Sequence, residues 1–153
     1  MTSSATLPTS VATLLDGQDL ESRIGVTLLL IVSGDEWPRV ASLSVGEVLA
    51  VGAGHLMLTL YASSRTSQAL AARGRGTLFL VDDGAIVKIQ LVAEVVSSTD
   101  GRTVFRARVD AVECDEVPYA RVSHGIEFEL IARQEQVTAR WRAQLQQLKE
   151  LSA

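Results

Sequence analysis

The sequence predicts a mainly β fold, a small antiparallel β-barrel with flanking helices, on three observations. About six to seven apolar runs of strand length recur through the chain, most of them separated by Gly-containing turns. One short amphipathic stretch, Gln68 to Arg73, interrupts them, and a longer segment with helical spacing, Arg133 to Leu151, follows them. Strands joined to their sequence neighbours by tight turns bury one face when the sheet curls on itself, without a crossover helix for every strand.

Residues Val11 to Leu15 follow Pro8, Thr9 and Ser10 and precede Asp16-Gly17, the start and stop signals of a short helix. Ile24 to Val32 is rich in branched residues and reads as a strand buried on both faces, with Gly34 to Pro38 turning it into a second strand, Arg39 to Leu49. Ala53-Gly54 opens the turn into Leu56 to Tyr61. The helix after it stops at Arg73-Gly74, and Thr77 to Val81 is the next strand.

Asp82-Asp83-Gly84 and Asp100-Gly101 are hairpin signals that make Ile86 to Val96 the centre of a meander. Its odd positions from Val87 to Val95 are apolar, whereas Lys88, Gln90 and Glu94 face the other way. Thr103 to Val112 repeats the alternation, with Phe105, Ala107, Val109 and Ala111 inward and Arg106, Arg108 and Asp110 outward, within reach of Glu94. Ile126, Phe128 and Leu130 predict a last strand. Val137, Trp141, Leu145 and Leu148 then form one apolar stripe on the C-terminal helix, with Trp141 a packing anchor for either the barrel or a partner subunit.

A chain of 153 residues is expected to form one domain, 1–153, with residues 1–6 flexible and 133–151 as the appended helix. The net charge of −4 and the absence of a basic block argue against nucleic-acid binding, and aromatics at 5% are too few for a stacking platform. Charged residues at 21% leave apolar surface for burial between subunits, which favours a homodimer. The longest apolar run, Leu28 to Val32, is far short of a bilayer span and no signal peptide opens the chain, so the expected setting is cytoplasmic and not membrane-bound. Cys114 is the single cysteine, which suits a reducing compartment. Its neighbours Glu113 and Asp115 oppose a thiolate.

His55 and His124 have no second ligand at metal-binding spacing, so no metal site is expected. A hydrolase elbow is absent, and Gly74-Arg75-Gly76 precedes a strand instead of a helix, the wrong order for a phosphate loop. Asp82 and Asp83 are explained by their turn.

The most informative segment is Ser63 to Ser67, Ser-Ser-Arg-Thr-Ser, at a strand-to-helix junction. Hydroxyls there serve either as ordinary N-caps or, with the guanidinium and the free N–H groups of a helix start, as a seat for a phosphate.

The order of elements resembles the pyridoxamine 5′-phosphate oxidase-like flavin-binding split-barrel superfamily over roughly residues 7 to 112. The resemblance is carried by Leu7-Pro8 leading to Leu14-Leu15, by Pro38 to Ser44, by Leu60 to Thr66 running on to Leu70, and by Ile86 to Glu94. It implies an FMN-binding homodimeric oxidoreductase of unknown substrate. Arg39, Ser63, Ser64 and Arg65 would contact the phosphate, Ala41, Ser42, Leu43 and Ser44 would line the ring edge, and Tyr61 would lie beside them. Thr66 stands where many relatives carry Lys, and Lys88 and Gln90 would face the pyrimidine edge. The His and Arg pattern by which the oxidase proper grips its substrate is not recognisable, so oxidation of pyridoxamine phosphate is not the implied activity. The alternative is a cofactor-free split barrel, or one that holds a deazaflavin or another phosphate-bearing small molecule.

Overall fold

Asp83-Gly84 and Asp100-Gly101 each place two successive residues at positive φ, 48° and 76° in the first pair and 54° and 75° in the second. That is the two-residue turn whose twist matches the strands it joins. The computed structural model describes residues 2–153, and these turns set its register. They connect β6 (Arg75–Asp82), β7 (Ala85–Thr99) and β8 (Arg102–Asp115) into the predicted meander.

The remaining strands are β1 (Thr2–Ser4), β2 (Leu28–Val32), β3 (Arg39–Leu43), β4 (Val48–Val51) and β5 (His55–Tyr61), and the helices are α1 (Thr9–Leu14), α2 (Arg65–Arg73) and α3 (Gln134–Leu151). All strand pairs are antiparallel, in the order β3-β2-β6-β7-β8-β5-β4, with β1 alongside β8. The two free edges, β3 and β4, are joined by the turn at Ser44–Glu47, so the curled sheet is split there.

Strand register defines two faces. Ala41, Leu30, Leu78, Ile89 and Val112 lie in one cross-strand row on the inner face, and the last four are buried. Val40, Ile31, Thr77, Gln90 and Ala111 form the neighbouring row on the outer face. Val11 and Leu15 at the N-terminal helix and Leu70 of α2 join the core. The stripe of α3, with Trp141, Leu145 and Leu148 buried, packs on β4 and β5 of its own chain. Trp141 meets Phe128 edge-on at 6.5 Å and lies against Gly46, where a Cβ would collide with the indole.

Four sequence expectations are corrected. Arg39 to Leu49 is two strands, because Ser44 bonds Glu47 and turns the chain. Ile24 to Val32 is a strand only from Leu28, and its burial alternates because the outer face is not covered there. Ile126 to Leu130 is irregular, tied to the segment before β2 by the isolated bridge Val26 to Glu127 and by the Phe128 N–H on the Gly25 carbonyl. Ala111 stands on the outer face instead of inward, because β7 and β8 shift register between Gln90 and Leu91, and Val95 keeps the face of its buried partner Phe105 but is 46% exposed. Of residues 1–6, read as flexible, Thr2–Ser4 pair with β8, while Met1 lies outside the described residues. No helix among the described residues is long and apolar enough to cross a membrane.

Candidate functional site

β3 begins with Arg39 on the face that carries Ala41 and Leu43, and α2 packs against that side of β2 and β3. Helical spacing divides α2 into two faces. Thr66, Ser67 and Leu70 are buried against the sheet, whereas Arg65, Gln68, Ala69, Ala72 and Arg73 turn outward. Between the outward face and the β2–β3 loop lies a pocket of about 580 Å³ that Arg39 and Arg65 line together. Gly34 forms its far wall, where a side chain would strike the Trp37 carbonyl and press on the Arg39 guanidinium.

Neither Arg39 nor Arg65 has a carboxylate partner among the described residues, and Arg39 is half-buried. Arg73 reaches into the same pocket but donates to Asp35 Oδ1 at 3.1 Å. Three guanidinium groups against one carboxylate leave a strongly positive concavity with fork-shaped donors, suited to a phosphate. Gln68 adds a neutral donor.

The hydroxyl junction takes the first of its two sequence readings, the helix cap. Ser64 is the N-cap of α2, its Oγ accepting the Ser67 N–H at 3.0 Å, and Ser63 is exposed beside it. Neither lines the pocket, and Thr66 faces the core. Along β3 the alternation sends Ala41 and Leu43 to the core side and Ser42 to the outer face. Ser44 is buried and spent on the turn, donating from N and Oγ to Glu47 Oε1 at 3.0 Å each.

Tyr61 carries the Arg102 guanidinium over its ring at 4.4 Å. Arg102 also donates to the Thr59 carbonyl at 2.7 Å and approaches Glu47 Oε2 at 3.4 Å. This network pins the Ser44–Glu47 turn to β5 and β8 on the β4 side of the split. Lys88 is held on the outer face by Asp115 at 3.0 Å and Glu113 at 3.8 Å, and the bond to Asp115 raises its pKa above the ordinary lysine value. Gln90 lines a different depression, with Arg75 and Arg108. Burial, aided by Glu116, Asp82 and Asp115, raises the pKa of the Cys114 thiol and keeps it protonated.

The structure thus brings Arg39 and Arg65 together and leaves Lys88 and Gln90 apart from them. Sequence reading missed Gln68 and Arg73, which the spacing i, i+3, i+8 from Arg65 places on one helix face. It had no signal for Asp35, which meets α2 only through the fold.

No described protein family matches the chain. A protein of Bacillus subtilis (strain 168), "Uncharacterized protein YclD", is 28% identical over 141 residues, 89% of this chain and 91% of that one. Among solved structures, a candidate pyridoxamine 5′-phosphate oxidase from Lactobacillus delbrueckii is similar with a TM-score of 0.55 at 15% identity, over 72% of this chain and 95% of its own. The styrene monooxygenase flavin reductase of Pseudomonas putida S12 matches at 0.52 and 17% identity, over 71% of this chain and 93% of its own. An FMN-binding protein from Syntrophomonas wolfei matches at 0.52 and 11% identity, over 71% and 85%. The fold is therefore the split barrel of the pyridoxamine 5′-phosphate oxidase-like proteins.

Proposed function

We propose that the chain is an FMN-binding homodimeric flavoprotein that works as an oxidoreductase. The observation that carries this reading is the pairing of Arg39 with Arg65 in one pocket, both without a counter-ion among the described residues. Leaving a half-buried cation unpaired costs stability unless something else compensates it, and a ligand phosphate supplies the charge. A flavin-type ligand is supported by the fold shared with a flavin reductase and an FMN-binding protein.

The donor set fits the phosphate of FMN. Arg39 and Arg65 would hold it, with Gln68 as a neutral donor and Arg73 recruited from Asp35. When bound, the flavin would supply hydride or electron transfer, and the protein's part is to bind, orient and shield it. The volume of about 580 Å³ lies within the usual range for small-molecule sites.

The dimer would bury the β3 edge of the sheet and the loop before it. Val40 there is 57% exposed and Trp37, in the adjoining loop, 73%. Sedimentation or light scattering reads this directly, with a monomer at micromolar concentration rejecting it.

One observation favours a second reading, in which the pocket holds a deazaflavin or another phosphate-bearing heterocycle, or works as a cofactor-free binding module. Ser63 and Ser64 stay off the pocket lining, so the hydroxyl contacts implied by the resemblance are not made by these residues as placed. The deciding experiment is a visible spectrum of the purified protein followed by FMN titration of the wild type and of Arg39→Ala/Arg65→Ala. Bound FMN that the double variant loses supports the proposal. Colourless protein that does not quench FMN fluorescence, yet is stabilised by another phosphorylated heterocycle, supports the second reading.

A further inference from the structure

We propose that the outer face of the sheet holds a second anion-binding groove, separate from the Arg39–Arg65 pocket, for a small molecule bearing two or more phosphate or carboxylate groups. Strand register puts Arg75, Val92, Arg108 and His55 in one row across β6, β7, β8 and β5. Strands lie about 4.8 Å apart, so the backbones of Arg75 and Arg108 are separated by roughly 10 Å and their long side chains can converge above Val92.

The surface under this row is concave. Two depressions of about 500 and 300 Å³ lie side by side across the strands and share Val92 and Arg108. Ile31 and Val92 give the floor an apolar patch, and Thr77 and Gln90 give it neutral hydrogen-bonding groups. A β-bulge shapes the rim: Asp110 and Ala111 both stand opposite Gln90, where a regular ladder would place one residue. The bulge turns Asp110 towards Arg108, which it holds at 3.0 Å.

The charges around the groove are not all engaged. Arg106 is bound to the Leu151 carbonyl at 2.8 Å and lies 3.6 Å from Glu94, so it closes one end. Arg75 is exposed and makes no ion pair among the described residues. Arg75, Arg106 and Arg108 against Asp110 and Glu94 leave the lining of the two depressions net positive in a chain of net charge −4. Two guanidinium forks on adjoining sides suit a multivalent anion better than a single carboxylate. The groove stands whether or not FMN occupies the first pocket.

The test is calorimetric titration with inorganic pyrophosphate and with citrate, which separate phosphate from carboxylate preference. It uses the wild type, Arg75→Ala/Arg108→Ala and Arg39→Ala/Arg65→Ala, with circular dichroism to confirm folding. The proposal predicts saturable binding of at least one probe that weakens roughly tenfold or more in Arg75→Ala/Arg108→Ala and persists in Arg39→Ala/Arg65→Ala. Asp110→Asn, which frees Arg108 without removing a cation, is expected to tighten binding. The proposal is overturned if neither probe saturates at low salt. Loss of binding only in Arg39→Ala/Arg65→Ala overturns it as well, since every bound anion then belongs to the first pocket.

Discussion

Arg102 and Glu47, 55 residues apart, meet at 3.4 Å beside the split in the barrel, each with less than a fifth of its side chain exposed. Glu47 bonds Ser44, Arg102 bonds Thr59 and covers Tyr61, and the turn between the two free edges is fixed from both sides. Arg102→Ala is expected to lower stability by about 1–3 kcal/mol, since it strips Glu47 of its counter-ion and Thr59 of two bonds. Chemical denaturation of Arg102→Ala, Glu47→Gln and the double variant measures the coupling. Strictly additive effects would show that the contact carries no energy of its own.

Asp35 competes with any ligand anion for Arg73. Its side chain is almost fully exposed, and such a pair contributes at most about 1 kcal/mol. Asp35→Asn is therefore expected to raise the affinity for FMN up to roughly fivefold at low salt, with little change in melting temperature. Fluorescence titration reads the gain, and unchanged or weaker binding would place Arg73 outside the ligand's reach.

Gly46 leaves room for Trp141. Gly46→Ala is expected to push the indole off its seat and cost about 1–3 kcal/mol, with a red-shifted tryptophan emission as α3 loosens. A melting temperature equal to the wild type's would contradict the packing.

Asp16 accepts the Gln18 N–H and the Arg23 guanidinium, each at 2.8 Å. Burial raises its pKa, but these bonds outweigh that and hold the group below its ordinary 3.8. A carboxylate with a lowered folded-state pKa stabilises above its unfolded pKa and loses that contribution as pH falls through the lowered value. With 39% of the side chain exposed, solvent screening keeps the effect of Asp16→Asn to at most about 1 kcal/mol at neutral pH. The difference from wild type should close as acid protonates Asp16, and a gap that persists at pH 2 would assign the loss to packing.

The meander was legible because Asp-Gly turns and strict alternation encode local geometry. The appended helix was legible from its stripe, although only the fold shows that Trp141, Leu145 and Leu148 serve their own barrel. Arg39 and Arg65 were found through their place in the order of elements. The Ser63–Ser64 reading could not separate a cap from a phosphate seat, because both uses draw on the same hydroxyl acceptor at the same helix position. The break at Ser44–Glu47 was hidden because Val45 and Val48 continue the apolar pattern and the turn depends on one Glu carboxylate. Nothing local marks Ile126 to Leu130 as irregular, since alternation yields a strand only where a partner edge is free to receive it.

The β7–β8 hairpin, 15 and 14 residues joined by two, gathers the longest ladder of the molecule from neighbours in sequence. Contacts of that kind cost little loop-closure entropy and tend to form early. The chain should then assemble from its middle outward, with β2–β3 and α2 docking onto a ladder already in place. Arg39 and Arg65 would come within reach of one anion only at that late step, so the ligand's on-rate in a refolding experiment would time the completion of the barrel.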